Sequence, residues 1–479
     1  MLGLFGNLDM ANGALRANAL AMEVAGQNIS NVNNPAYARQ RVTLRSASPI
    51  NDGRLGPQGD GVEVTAITQI RDALVDQQIQ GETSVRGALA AEQQGLQFAE
   101  AGLGQQVNTD TAGANGTTAA GGIAGQNGLS TRLAELFMGF QGLSTDPSSL
   151  AQRQVLAGKA QDFTAQLNQT STRLNNARTM LNDSLRSDVT KVNDALQTIA
   201  GLNGNIVDME VGGRGVANDL RDLRQQKIEE LANLTKTDVS TNSNGSLELE
   251  IGGVTVVSGA KVLDTLAAYD AGGGQFLVRT VTGGTTVNPG GGRLQGTINA
   301  RDNGLATLQT NLDNFAAQMA TEVNNVYRGG FGLGGTTGQN FFTGSTAATL
   351  AVNATVVASP ASIQAAGVAG AAGDNQVALA LAQLADKKIT GLTNQTFTEH
   401  YAKTVGDLGQ ALSSVNGQIS NQDVVQKMLT MQRQSISGVS LDEEMTDMMR
   451  FQHAYQASAR VISIIDSMLQ TAINLGSGR

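Results

Sequence analysis

The sequence predicts a mainly α protein with a β insert: paired amino- and carboxy-terminal helices forming a coiled-coil tube domain, a long helical-bundle domain, and a small outer β domain. Three observations lead there. Apolar residues recur at alternating four- and three-residue intervals near both ends of the chain. A third such stripe, free of proline, fills residues 150–203, and only within 235–292 does the apolar period fall to two.

Near the amino terminus, Leu4, Leu8, Ala11, Leu15, Asn18, Met22, Ala25 and Ile29 keep the spacing of an a/d seam. At the other end Leu441, Met445, Met448, Gln452, Tyr455, Ala459, Ile462, Asp466, Leu469 and Ile473 repeat it, with Phe451 and Ile465 widening the stripe. Ser440 followed by Glu443 reads as a capping box, Asp442, Glu443 and Glu444 suit the positive end of a helix dipole, and Gly476 reads as the stop. Neither stripe has a local partner, so the two are expected to pair. The assembly seam is then Leu8, Leu15, Met22 and Ile29 against Leu441, Met448, Tyr455, Ile462 and Leu469. Heptad spacing more often marks ordinary helix packing, but these stripes sit at chain ends with little else to cover them. Both ends are expected to be poorly ordered in the free monomer and to fold on stacking.

Between them the sequence reads as a rod. Ser144, Thr145, Asp146 and Pro147 suggest an N-cap with proline at the first helical position. The seam from Phe163 through Leu174, Leu181, Leu185, Val189 and Leu196 to Ile206 contains one stutter, three fours in succession around 181–189. Some fifty residues at 1.5 Å each reach roughly 80 Å, as one or two long helices. Residues 101–128, rich in Gly, Ala, Thr and Asn, read as an exposed connection. In the β insert, Leu247, Leu249 and Ile251 alternate with Glu248 and Glu250 before Gly252-Gly253 turns the chain. A helical pattern resumes at Leu294 and runs to Val326, its expected partner being the long helix before the insert; Val424, Met428 and Met431 mark one more helix. Three domains follow: 1–40 with 436–479, 41–234 with 293–435 and a β-hairpin near its start, and 235–292.

Composition narrows the function. The 479 residues carry a net charge of −9, unsuited to neutralising phosphates, so nucleic acid and anionic membrane surfaces are poor partners. No run of eighteen apolar residues exists, which argues against membrane insertion as a helix. The first fifteen residues lack Lys and Arg, unlike a cleavable secretory signal, so the expected alternatives are retention in the cytoplasm or an uncleaved export route. Cysteine is absent, and with it thiolate metal sites.

Catalysis finds little to work with. His400 and His453 are the two histidines, and both read as structural or solvated. The Gly-rich stretches at 212–215 and 329–338 lack the P-loop lysine, and the carboxylates Glu443 and Glu444 are explained by the helix dipole. The expectation is no enzyme, no cofactor and no metal.

The run Gly26-Gln27-Asn28-Ile29-Ser30-Asn31-Val32-Asn33-Asn34-Pro35-Ala36-Tyr37, then Ala38-Arg39-Gln40, resembles the amino-terminal signature shared by flagellar rod, hook and hook-associated proteins. It departs at Asn34, where Thr is common, and at Ala36, where Gly is common. The carboxy-terminal stretches around Ser437-Gly438-Val439-Ser440-Leu441 and Arg450-Phe451-Gln452-His453-Ala454-Tyr455 resemble the hook-associated protein 1 family in particular. Asn218-Asp219-Leu220-Arg221-Asp222-Leu223-Arg224 and Asn324-Asn325-Val326-Tyr327 fall in the order expected of that family.

The resemblance implies a structural adaptor between hook and filament, with terminal helices forming an inner tube. Its implied partners are the hook protein, a second hook-associated junction protein, further copies around the axis, and a cytoplasmic export chaperone on the carboxy-terminal helix. It also implies an extracellular location reached by type III export without a cleaved signal. The alternatives are another axial subunit, hook or filament, or a secreted surface adhesin. Hook proteins carry less helix and more β, and the β insert offers an adhesin only Tyr269 and Phe276 as aromatics.

Overall fold

A computed structural model describes residues 3–52, 56–104, 128–211 and 215–477. Helix α1 (Leu4–Ser30) leads into strands β1 (Gln40–Ser46) and β4 (Val62–Gln69), paired antiparallel, with the short pair β2 (Ile50–Asp52) and β3 (Gly56–Gln58) between them. Helix α2 (Ala73–Leu103) starts on an Asp72 cap and ends at Gly104, whose φ of 67° suits the left-handed turn closing a helix. The connection read at 101–128 lies largely outside the described residues.

Helix α3 (Leu129–Thr145) then turns tightly into α4 (Leu150–Glu210). The N-cap of α4 is Ser149, whose hydroxyl accepts from the Gln152 amide at 3.3 Å, and not the 144–147 stretch expected from sequence. Asp146 instead caps the carboxy end of α3. Pro147 lies in the turn, where its carbonyl accepts from the buried Arg153 guanidinium. The 61 residues of α4 form one helix of roughly 90 Å, continuous through the stutter, with Leu181, Leu185 and Val189 all buried.

Helix α5 (Asn218–Leu234) returns along α4 and opens the β insert. Strands β5 (Asp238–Thr241), β6 (Leu247–Ile251), β7 (Val254–Ser258) and β8 (Lys261–Val262) form one antiparallel sheet; β9 (Leu266–Asp270), β10 (Phe276–Thr280) and β11 (Thr286–Val287) form another. Gly252 and Gly253 turn β6 into β7 at φ of 58° and 79°, the paired left-handed geometry of a tight hairpin. The apolar face of β6 packs with Leu185, Val192, Leu196 and Ile199 of α4.

Helix α6 (Gly292–Asn299), a π-helical turn over Ala300–Leu305, and α7 (Ala306–Tyr327) follow without a break. The main neighbour of α6 is α2 and not the expected α4, because Gly296 has no side chain and lets the Ala88 backbone approach. Beyond α7 come β12 (Phe342–Thr343), β13 (Ala351–Val352), α8 (Ala354–Ala358) and α9 (Gln376–Gln383), packed on an aromatic core of Phe140, Phe163, Phe315, Phe341 and Phe397. A capping box of Thr396 and Glu399 starts α10 (Phe397–Ser437), and α11 (Leu441–Ser477) lies back along α1. Gly476 does not stop α11, which continues to Ser477.

Candidate functional site

The place where the terminal helices meet the body is built by the turn after α1. Asn34 N donates to the Asn31 carbonyl at 2.9 Å and Tyr37 N to the Asn34 carbonyl at 3.1 Å, which folds the chain back so that β1 runs beside α1. Asn28 is 1% exposed and uses its whole amide. Nδ2 donates to the Gln40 carbonyl at 2.9 Å and to Glu444 Oε2 at 3.0 Å, while Oδ1 accepts from Tyr37 Oη at 2.8 Å and Gln40 N at 3.0 Å. Arg39 completes the link: its Nε lies 2.6 Å from Glu444 and its Nη1 2.8 Å from Glu443, and its backbone amide donates to the Ser437 carbonyl at 2.9 Å.

The body reaches the same point through α5. Gln40 donates to Asp219 at 3.1 Å and accepts from Asn218 at 3.3 Å, and Asn218 also donates to the Ile67 carbonyl of β4 at 2.9 Å. The Ala38 amide donates to Asp222 at 3.3 Å. Arg71 bridges Asp76 at 3.1 Å and Asp222 at 3.2 Å, and Arg433 at the end of α10 pairs with Glu229 at 2.6 Å. A cavity of about 280 Å³ opens beside this network, lined by Asn31, Asn33, Pro35, Tyr37, Arg71 and Arg433.

Burial sets the charge states. It pushes the Asp222 carboxyl up to about 6 against the pull of Arg71, and raises Asp76 for the same reason. The Tyr37 hydroxyl is pushed up by burial and then by Asp219, Asp222 and Glu444, which keeps it a proton donor to Asn28. Arg39 loses solvation, but Glu444 and Glu443 more than restore its charge.

Of the signature residues, Asn28, Tyr37, Arg39 and Gln40 converge in this node. Gly26 lies on α1 facing Met448, the Gln27 carbonyl accepts from Asn31 at the helix end, and Asn33 and Pro35 are exposed on the turn. Leu8, Leu15, Met22 and Ile29 sit half-buried on α1, and Met448, Tyr455, Ile462 and Leu469 half-buried on α11. Leu441 departs from that pattern at 45% exposed. The positions alternating with 448, 455, 462 and 469 on the covered face are Glu444, Phe451, Ser458 and Ile465, whereas Met445, Gln452 and Asp466 are exposed. Solvation of Gln452 and Asp466 turns the helix by about one position.

Arg71, Asp76, Glu229 and Arg433 carried no local sequence signal, and Glu444 read as a dipole acid within the carboxy-terminal stretch that carries the resemblance. His400 stacks on Phe315 and His453 is exposed, each farther along a helix, α10 or α11, that also contributes to the node. Among the described residues no three His, Cys, Asp or Glu side chains group so as to hold a metal, and no helix is long and apolar enough to cross a membrane. Residues 212–214 of one Gly-rich stretch lie outside the described residues.

The chain has relatives among known proteins. The family described as flagellar hook-associated protein FlgK helical domain matches residues 121–342, and the C-terminal family of flagellar basal body rod FlgEFG proteins matches residues 425–475. Flagellar hook-associated protein 1 of Bacillus subtilis is 29% identical, over 99% of this chain and 99% of the relative. The chain is thus similar to flagellar hook-associated protein 1 along almost its whole length. Hook-associated protein 1 of Escherichia coli is 23% identical over 98% of this chain and 99% of its own length, and that of Salmonella typhimurium 24% over the same shares. The flagellar hook junction protein FlgK from Burkholderia pseudomallei has the same fold, with a TM-score of 0.62 at 16% identity over 75% of this chain and the whole of that one. Both matched family regions border the node, one containing Asn218 and Asp222 and the other Arg433 and Glu444.

Proposed function

We propose that this chain is a structural adaptor of the bacterial flagellum that assembles on the distal hook and connects hook to filament, without catalysis. The observation that carries the reading is end-to-end similarity to hook-associated protein 1 relatives, coupled to a node that ties both chain ends to the body. The domains are residues 1–40 with 436–479 as the axial core, 41–234 with 293–435 as the body, and 235–292 as the outward β unit.

One face of α11 supports self-assembly around the axis. Ala457, Val461, Ile464, Met468, Ala472 and Leu475 keep helical four-three spacing yet are exposed, with Leu475 at 77%. This second stripe points away from α1 and is suited to neighbouring copies, while the seam holds the two terminal helices together. Subunits stacked this way meet through heterologous contacts that propagate along an axis. The hook protein lies below, a second hook-associated junction protein above, and a cytoplasmic export chaperone covers the carboxy-terminal helix before export. The mature location is the extracellular flagellum, reached without signal cleavage.

Deletion of the gene tests this directly. Bare hooks on the cells with unpolymerised flagellin in the medium are expected. Missing hooks would move the protein to the hook or rod, and intact filaments would remove it from the axis.

A further inference from the structure

Among the described residues, the two largest hydrophobic cores of the body share no residue. One joins α3, the first half of α4, α7, α9 and the first half of α10; the other joins the second half of α4, α5 and the β sheets. In α4 the changeover falls between Leu181 and Leu185, and in the facing helix between Ile298 and Ala300.

What separates the cores is polar. Arg301 is 1% exposed, and its guanidinium donates to Asn182 at 3.0 Å, to the Phe276 carbonyl at 2.5 Å and to both oxygens of Asp302 at 2.7 and 2.8 Å. Close by, Gln93 of α2 donates to Asn416 of α10 at 2.7 Å. Here α10 leaves the first core: beyond Val415 and the partly buried Ile419 its next buried residue is Gln422, bonded to Glu82.

The backbone changes at the same level. The π turn at Ala300–Leu305 widens the otherwise continuous α6–α7 helix, and π turns are where helices bend. Opposite it, α4 carries its stutter. Gly95 of α2 lies so close to this turn that an added Cβ would stand 2.3 Å from that of Ala300.

We propose that this layer is a flexure, at which the half of the body next to the assembly node tilts against the far half. The α4 helix is the continuous strip that bends, and the Gly95–Ala300 contact is the pivot. Interdigitated apolar side chains resist tilt because each packing arrangement is discrete. A guanidinium bonded to an amide and a carbonyl keeps its partners over a range of angles, so movement concentrates where the cores are interrupted.

The chain has no cysteine, so paired spin labels can be introduced without interference. Gln226→Cys with Thr321→Cys spans the layer, and Gln154→Cys with Thr321→Cys lies within the far half; all three sites are exposed. Pulsed electron paramagnetic resonance on the full chain is expected to give a broader distance distribution for the spanning pair. Deleting Asn303, which closes the π turn toward an α helix, is expected to narrow it to the width of the far-half pair. A spanning distribution already as narrow as the far-half pair overturns the flexure, without any need for the deletion to fold. An unchanged broad distribution in a folded deletion variant overturns the π turn as its joint.

Discussion

Asn28 donates to Glu444 at 3.0 Å across 416 positions of chain, and the same Glu444 carboxylate lies 2.6 Å from Arg39. One buried acid is thus shared by an amide before the turn and a guanidinium after it, and this sharing fixes how α11 docks on α1. Asn28→Ala leaves the Tyr37 hydroxyl and the Gln40 amide without their acceptor, at roughly 1–3 kcal/mol for each buried group orphaned. Urea denaturation should show a lower midpoint, and hydrogen exchange should show the first turn of α11 opening. An unchanged midpoint would remove Asn28 from the node.

Arg39 has two acidic partners in unlike surroundings, with Glu444 3% exposed and Glu443 63% exposed. Glu443→Ala should cost no more than about 1 kcal/mol, as exposed pairs do. Arg39→Ala strands the Glu444 charge and should cost roughly 3–5 kcal/mol. The double variant Arg39→Ala/Glu444→Ala should recover part of that loss, which a double-mutant cycle measures.

Acid should first stabilise the fold and then weaken it. The Asp222 carboxyl is raised from 3.8 to about 6, so the folded state takes up its proton more readily than the unfolded chain. Its contribution therefore grows as pH falls through about 6 toward 4. Glu210 is shifted the other way, first by its hydrogen bond from Arg221, and what it contributes at neutral pH is lost below the ordinary carboxylate range. Asp222→Asn should flatten the rise in thermal midpoint between pH 7 and 5 and leave the acid limb in place.

Two helical glycines should respond with opposite sign. A Cβ on Gly296 would stand 1.9 Å from the Ala88 carbonyl oxygen, which is backbone and cannot swing aside, so Gly296→Ala should destabilise by at least about 1–3 kcal/mol. Gly417 in α10 faces open space, and Gly417→Ala should stabilise by about 0.5–1 kcal/mol through helix propensity. Thermal unfolding of the two variants separates these outcomes.

The parts of the fold visible in the sequence were those whose signal is local. The stripe from Phe163 to Ile206 and the alternation at 247–251 repeat within a few residues, so helix and hairpin could be read directly. The start of α4 was misplaced because Ser144, Thr145, Asp146 and Ser149 are all competent caps within six positions, and only packing selects Ser149. The node was legible only as far as resemblance reached: Asn28, Arg39 and Gln40 stand in a signature. Arg71, Asp76 and Arg433 look like any solvated charges until tertiary structure brings them together. Arg301 was equally silent, since a charged residue in a helical rhythm ordinarily faces water.

The span between Asn28 and Glu444 also sets an order of events in folding. The α3–α4 turn and the β6–β7 hairpin close over a few residues, whereas the node closes a loop of nearly the whole chain, and the entropy of closing so long a loop must be met by contacts already made. Whichever end emerges first, docking of α11 on α1 waits until the body has formed. A refolding probe at residue 444 should lag one inside α4. The face that α1 and α11 form together is thereby completed last, after the rest of the molecule is in place.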